Sequence, residues 1–199
     1  MRKSTIKGLL LAALSVFFTV NVNAQDAATA SDPENYDQGF RLGFGANIGY
    51  VFDDPYELAL GADVRLQYDL SQRYSFTLTT GFTNLFAREY EINGFEVDPK
   101  DLGFIPVKVG FKGFIWEDSF YLLGEVGAGF AVTNRDEYEG TNDTTLILAP
   151  GIGYANKYFD LSLRYEHYSD FPTANFNSNG TIDEGTGQLA LRVAYGFKL

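Results

Sequence analysis

Hydrophobic and polar residues alternate along this chain with a period of two, in segment after segment. Leu58, Leu60, Ala62, Val64, Leu66, Tyr68 and Leu70 interleave with Glu57, Ala59, Gly61, Asp63, Arg65, Gln67 and Asp69. The last residues repeat the pattern: Leu189, Leu191, Val193, Tyr195, Phe197 and Leu199 alternate with Ala190, Arg192, Ala194, Gly196 and Lys198. Successive side chains of a strand point to opposite faces, so each such segment has one greasy face and one small or polar face. Eight segments follow this rule, at residues 39–51, 57–70, 74–86, 102–115, 119–132, 144–155, 158–168 and 188–199. Pro106 and Pro150 fall inside two of them. Each removes a ladder donor, which predicts a bulge or a shifted strand boundary.

The connections alternate in length. Residues 71–73, 116–118 and 156–157 are tight turns, whereas residues 52–56, 87–101, 133–143 and 169–184 are longer. The face opposite the greasy one carries Arg41, Arg65, Lys108, Lys112, Arg164, Arg192 and Lys198, with Glu57, Asp63, Asp69, Glu125, Asp160 and Glu166. The interior of an eight-stranded barrel is just wide enough for side chains. It can hold this near-balanced set of charges beside many inward glycines, but not the Phe, Leu and Tyr of the other face. The prediction is an all-β fold, an eight-stranded antiparallel transmembrane β-barrel over residues 39–199, greasy outside and charge-paired within. A soluble, lipocalin-like barrel with a greasy cavity is the competing fold. The aromatic residues argue against it. Tyr68, Tyr74, Trp116, Phe120, Tyr158, Phe159 and Phe197 fall near the short turns, and Tyr50, Phe86, Phe130 and Tyr165 near the long connections. Two aromatic girdles are what a bilayer selects.

The start of the chain adds a compartment. Arg2, Lys3 and Lys7 precede an apolar run of 13 residues from Gly8 to Val20, and Val22-Asn23-Ala24 supplies small residues at a cleavage site. This is the pattern of a secretory signal peptide over residues 1–24, followed by a polar lead over 25–38. The run is too short for a spanning helix, which needs ~20 residues. Removing three positive charges takes the formal net charge from −11 to −14. So acidic a chain has no footprint for nucleic acid, which demands a basic patch. There are no cysteines, so disulfides and thiolate metal sites are excluded. No Walker loop, zinc spacing or dinucleotide fingerprint occurs, and no cofactor or metal is expected. With a periplasmic N-terminus, the longer connections lie outside the cell, and an even strand number returns the C-terminus to the periplasm.

The signal-like start, the alternating strands and the closing segment Gln188 to Leu199 resemble the small outer-membrane β-barrels of Gram-negative bacteria, the OmpA/OmpX type. The resemblance implies an outer-membrane location, contact with membrane lipid and lipopolysaccharide, and delivery by the outer-membrane assembly machinery. Closing strands of that family usually end in Phe or Trp; here Leu199 is last and Phe197 stands two before it. A structural or surface-interaction role follows, with a lumen too full for wide-pore diffusion. A narrow channel and a surface adhesin remain alternatives, the latter binding a surface ligand through residues 87–101 and 169–184.

One short motif points to chemistry. His167, the only histidine, lies in the run His167-Tyr168-Ser169. By parity His167 and Ser169 share the lipid-facing side with Tyr165, and His with Ser on one strand face is a possible base and nucleophile. The run resembles the active-site stretch of lipid A deacylase barrels. That resemblance implies Ser169 as nucleophile, His167 as its base, and Asp183 or Glu184 as the orienting acid. The family carries Asn after the serine, and here the residue is Asp170. The bland alternative is an interfacial histidine beside a loop-start serine. The acidic stretches 87–101 and 133–143 lack the regular spacing of a calcium loop and read as solvated surface.

Overall fold

The computed structural model describes residues 38–88, 90–92, 95–97, 100–116, 119–133, 143–176 and 182–199. The signal-like segment and the polar lead to residue 37 lie outside them. Ten strands follow in chain order: β1 (Gly39–Val51), β2 (Tyr56–Asp69), β3 (Tyr74–Ala87), β4 (Tyr90–Ile92), β5 (Phe95–Val97), β6 (Leu102–Trp116), β7 (Phe120–Ala131), β8 (Thr144–Ala155), β9 (Phe159–Phe176) and β10 (Ile182–Lys198). Eight of them close into a barrel in the order β1-β10-β9-β8-β7-β6-β3-β2, and β4 and β5 form a separate two-stranded hairpin. Each barrel strand pairs antiparallel with its neighbours, and β1 meets β10 from Arg41↔Lys198 to Val51↔Gln188. Closure of first on last strand leaves no sheet edge within the barrel wall.

The faces follow the alternation. Phe44, Phe76, Val109, Leu122 and Ile152 are exposed on the outside, while Asp63, Arg65, Lys112, Glu125 and Arg192 are buried in the lumen. Rings cluster at the short-turn end: Phe40 on Tyr68 at 4.8 Å, Tyr74 on Phe111 at 5.6 Å, Phe120 on Tyr154 at 5.1 Å and Tyr158 on Tyr195 at 6.0 Å. A smaller group, Tyr50, Phe52 and Tyr165, marks the long-connection end. The side chain of Trp116 lies outside the described residues.

Three features differ from the expectations. The seventh segment does not stop at Tyr168 but continues as β9 to Phe176, and the eighth begins at Ile182 rather than Gln188. Most of the expected long connection 169–184 is therefore strand. Two successive two-residue register shifts hide it: Tyr168 pairs with Thr186, yet Pro172 pairs with Glu184 and Phe176 with Ile182. The prolines cause neither bulge nor displaced boundary. On β3–β6 the pairing lapses between Thr80↔Val107 and Thr83↔Phe104, and on β8–β9 between Leu148↔His167 and Gly151↔Arg164, with the register unchanged across each gap. Each proline withholds one donor while the pairs on either side hold the strand in place. Finally, the lumen is not charged throughout. At the long-connection end Val51, Tyr56, Ala59, Leu85, Leu102, Phe104, Ala131, Ile147, Tyr168 and Phe171 pack into an apolar layer. Most of these occupy the inward parity that the charged residues take further down each strand.

Candidate functional site

Below the apolar layer the lumen is filled by ion pairs. The Glu125 side chain is fully buried at the centre. Its Oε1 accepts from Arg65 Nη2 at 2.7 Å and from Thr79 Oγ1 at 3.1 Å. Its Oε2 accepts from Arg164 Nη1 at 3.0 Å, and Lys108 Nζ stands 3.8 Å away. Glu166 is the second hub: Lys108 Nζ donates to its Oε1 at 2.6 Å, while Tyr168 Oη at 2.6 Å and Gln188 Nε2 at 2.8 Å donate to its Oε2. Nearer the short turns, Arg192 grips Asp63 with Nε at 2.9 Å and Nη2 at 2.5 Å, the forked geometry that suits guanidinium and carboxylate. Lys112 pairs with Asp160, which also accepts from Tyr121 Oη at 2.5 Å. Asn47 joins the two groups, donating to Asp63 at 2.7 Å and accepting from Arg164 Nη2 at 2.6 Å.

Glycines on facing strands make room for these long side chains. A Cβ at Gly45 would lie 2.8 Å from Arg192 Nε, and one at Gly151 would lie 2.7 Å from Arg164 Cγ. The pairing matters energetically because an isolated buried charge costs several kcal/mol, on the order of a large part of a domain's stability. The arrangement can hold a barrel interior together through charge pairs spanning several strands. It offers no exposed nucleophile.

The nominated catalytic residues lie elsewhere. His167 is half-buried on β9, paired across with Leu148 of β8 and Gly187 of β10, while its neighbours Glu166 and Tyr168 point into the lumen. Ser169 is half-buried at the start of the β9 register shift. No hydrogen bond joins the His167 and Ser169 side chains among the described residues. The backbones of Asp183 and Glu184 belong to β10, and their side chains lie outside the described residues. Opposite the shift, Gly185 adopts φ 103°, a conformation that L side chains rarely adopt, and a Cβ there would lie 3.3 Å from the Ser169 carbonyl oxygen.

Composition concealed another set of residues. Three rim carboxylates cap strand ends. Asp53 Oδ2 accepts from Gly187 N and Thr186 Oγ1, both at 3.2 Å; Asp101 Oδ1 accepts from Ala87 N at 2.9 Å; Asp170 Oδ2 accepts from Leu146 N at 3.2 Å. Each satisfies a backbone donor where a ladder runs out. Their shared position, immediately beyond an alternating segment, was the available signal.

No protein-family model and no curated protein sequence matches the chain. Solved structures do. The attachment invasion locus protein Ail of Yersinia pestis matches 80% of this chain and 99% of its own, with 19% identity and a TM-score of 0.48. The N-terminal β-barrel domain of OprF from Pseudomonas aeruginosa covers the same shares at 12% identity and 0.48. Neisserial surface protein A matches 79% of this chain and 96% of its own, at 16% identity and 0.45.

Proposed function

We propose that this chain is an integral outer-membrane β-barrel protein with a structural or surface-interaction role and a sealed lumen. One observation carries the reading: the barrel is inside out relative to a soluble protein. Ile115 is 66% exposed, Ile152 57% and Val109 55%, while Arg192 and Lys112 are each 1% exposed. In water, an apolar patch above a few hundred Å² drives association, and this one encircles the molecule. In hydrocarbon it costs nothing, and closure satisfies the backbone groups that lipid cannot. Barrel strands of 12 to 18 residues exceed the ~9–11 that span a bilayer.

The two lumen layers support sealing. In this reading the apolar layer above and the paired polar layer below occupy the bore that a hydrated solute would need. In this reading the acidic long connections face outward and both termini face the periplasm. Lipid and lipopolysaccharide contact the outer wall, the assembly machinery meets β10, and a surface ligand meets the connections.

The test is expression in a Gram-negative host. Expected are recovery with the outer membrane, a faster gel band for unheated than for heated protein, and no current steps in planar bilayers. Recovery as a soluble protein would overturn the membrane reading, and reproducible unitary steps would overturn the seal.

A further inference from the structure

We propose that one water molecule is bound as a structural ligand where the two lumen layers meet, bridging Arg164 and Gln188. This goes beyond the outer-membrane reading and does not depend on it. A cavity of about 20 Å³ lies there, walled on its polar side by Asn47, Asp63, Lys108, Arg164, Glu166 and Gln188. A single water needs ~10–15 Å³ by that measure, so there is room for one. Two buried polar atoms on wall residues have no hydrogen-bond partner: Arg164 Nε, a donor, and Gln188 Oε1, an acceptor. Both residues are 2% exposed.

The orientation of Gln188 is set by its other end. Its Nε2 donates to Glu166 Oε2 at 2.8 Å and to Tyr168 Oη at 2.5 Å, which turns Oε1 away from them. Oε1 lies over Gly49, itself a wall residue, where any Cβ would collide with it. Arg164 is likewise committed through Nη1 to Glu125 and through Nη2 to Asn47, leaving Nε. The occupant must accept one hydrogen bond and donate another. An anion cannot donate to Gln188 and would face the Asp63 and Glu166 carboxylates. A metal ion cannot accept from Arg164 and would face Lys108. Water does both.

The experiment uses the full barrel refolded in detergent micelles. Oxygen-17 magnetic relaxation dispersion counts long-lived internal waters. Ala190→Val and Ala59→Val each place methyl groups into the cavity from a wall position. Each variant that keeps the heat-sensitive gel shift is expected to lose one long-lived water relative to wild type; an unchanged count overturns the proposal. A second measurement needs no variant: wild-type Arg164 Nε–H is expected to show a cross-relaxation peak to water, and its absence overturns the assignment. A shift of that resonance on replacing chloride with sulfate overturns it in favour of a bound anion.

Discussion

Glu125 is the side chain on which the lumen charges converge, with Arg65, Arg164 and Lys108 all within 4 Å of its carboxylate. Replacing it by Gln keeps the shape but takes the paired carboxylate from buried Arg65 and leaves Arg164 and Lys108 to Glu166 alone. Breaking a buried pair from one side costs about 3–5 kcal/mol. Glu125→Gln is therefore expected to lower the stability of the refolded barrel by about that amount in equilibrium urea unfolding, and pairing it with Arg65→Met should recover part of the loss. Arg88 provides the contrast. Its bond to Asp54 at 3.1 Å joins side chains 47% and 60% exposed. Exposed pairs are worth about 0–1 kcal/mol, so Arg88→Ala should move the same midpoint little. Ser169 tests for chemistry on the outer wall. In the structural role proposed here, cells expressing wild type, Ser169→Ala or no barrel share one lipid A pattern by mass spectrometry. Loss of an acyl chain in the wild type alone would transfer the function to Ser169 and His167.

β9 is the element that departs furthest from its alternation. Up to Tyr168, even positions face the lumen; within the register shift Phe171 does, meeting Phe104 edge-on at 5.0 Å and lying tilted against Tyr168 at 5.6 Å. The shift thus turns an odd residue inward, where Phe171 joins the apolar layer and ties the far end of the β9–β10 pair to it. Phe171→Ala removes that pin, and a buried Phe→Ala change costs about 3–5 kcal/mol. Faster amide exchange in residues 182–186 than in residues 189–194 is the expected local sign, while the barrel below stays protected. The same shift explains what was readable beforehand. β2 alternates without interruption from Glu57 to Asp69, and its limits were legible to within a residue. β9 loses its period at Ser169, so pattern alone ends it there. The apolar layer was hidden for a related reason: around Leu102, Phe104 and Ile105 both faces are apolar, and alternation carries no contrast. Inward charges could be named from parity. Their partners could not, because Arg65 and Glu125 stand 60 residues apart and are joined only by the curvature of the closed wall.

For the molecule as a whole, the barrel wall is held by pairs that the acidic stretch 88–100 does not join. Deleting residues 88–100 is expected to preserve the heat-sensitive gel shift, because the β3–β6 pairing from Tyr74 to Leu85 does not involve them. Binding of whole cells to a surface should change in the same strain if those residues contact a ligand. The closure of β1 on β10 has a further consequence, in time rather than in space. The seam joins the first strand of the wall to the last, so it forms only after all of the intervening chain is present. A product truncated before residue 182 keeps two raw strand edges, with backbone donors and acceptors that neither lipid nor a neighbour satisfies. Completion of the wall is thereby written into the topology: only a chain that carries β10 can close on β1.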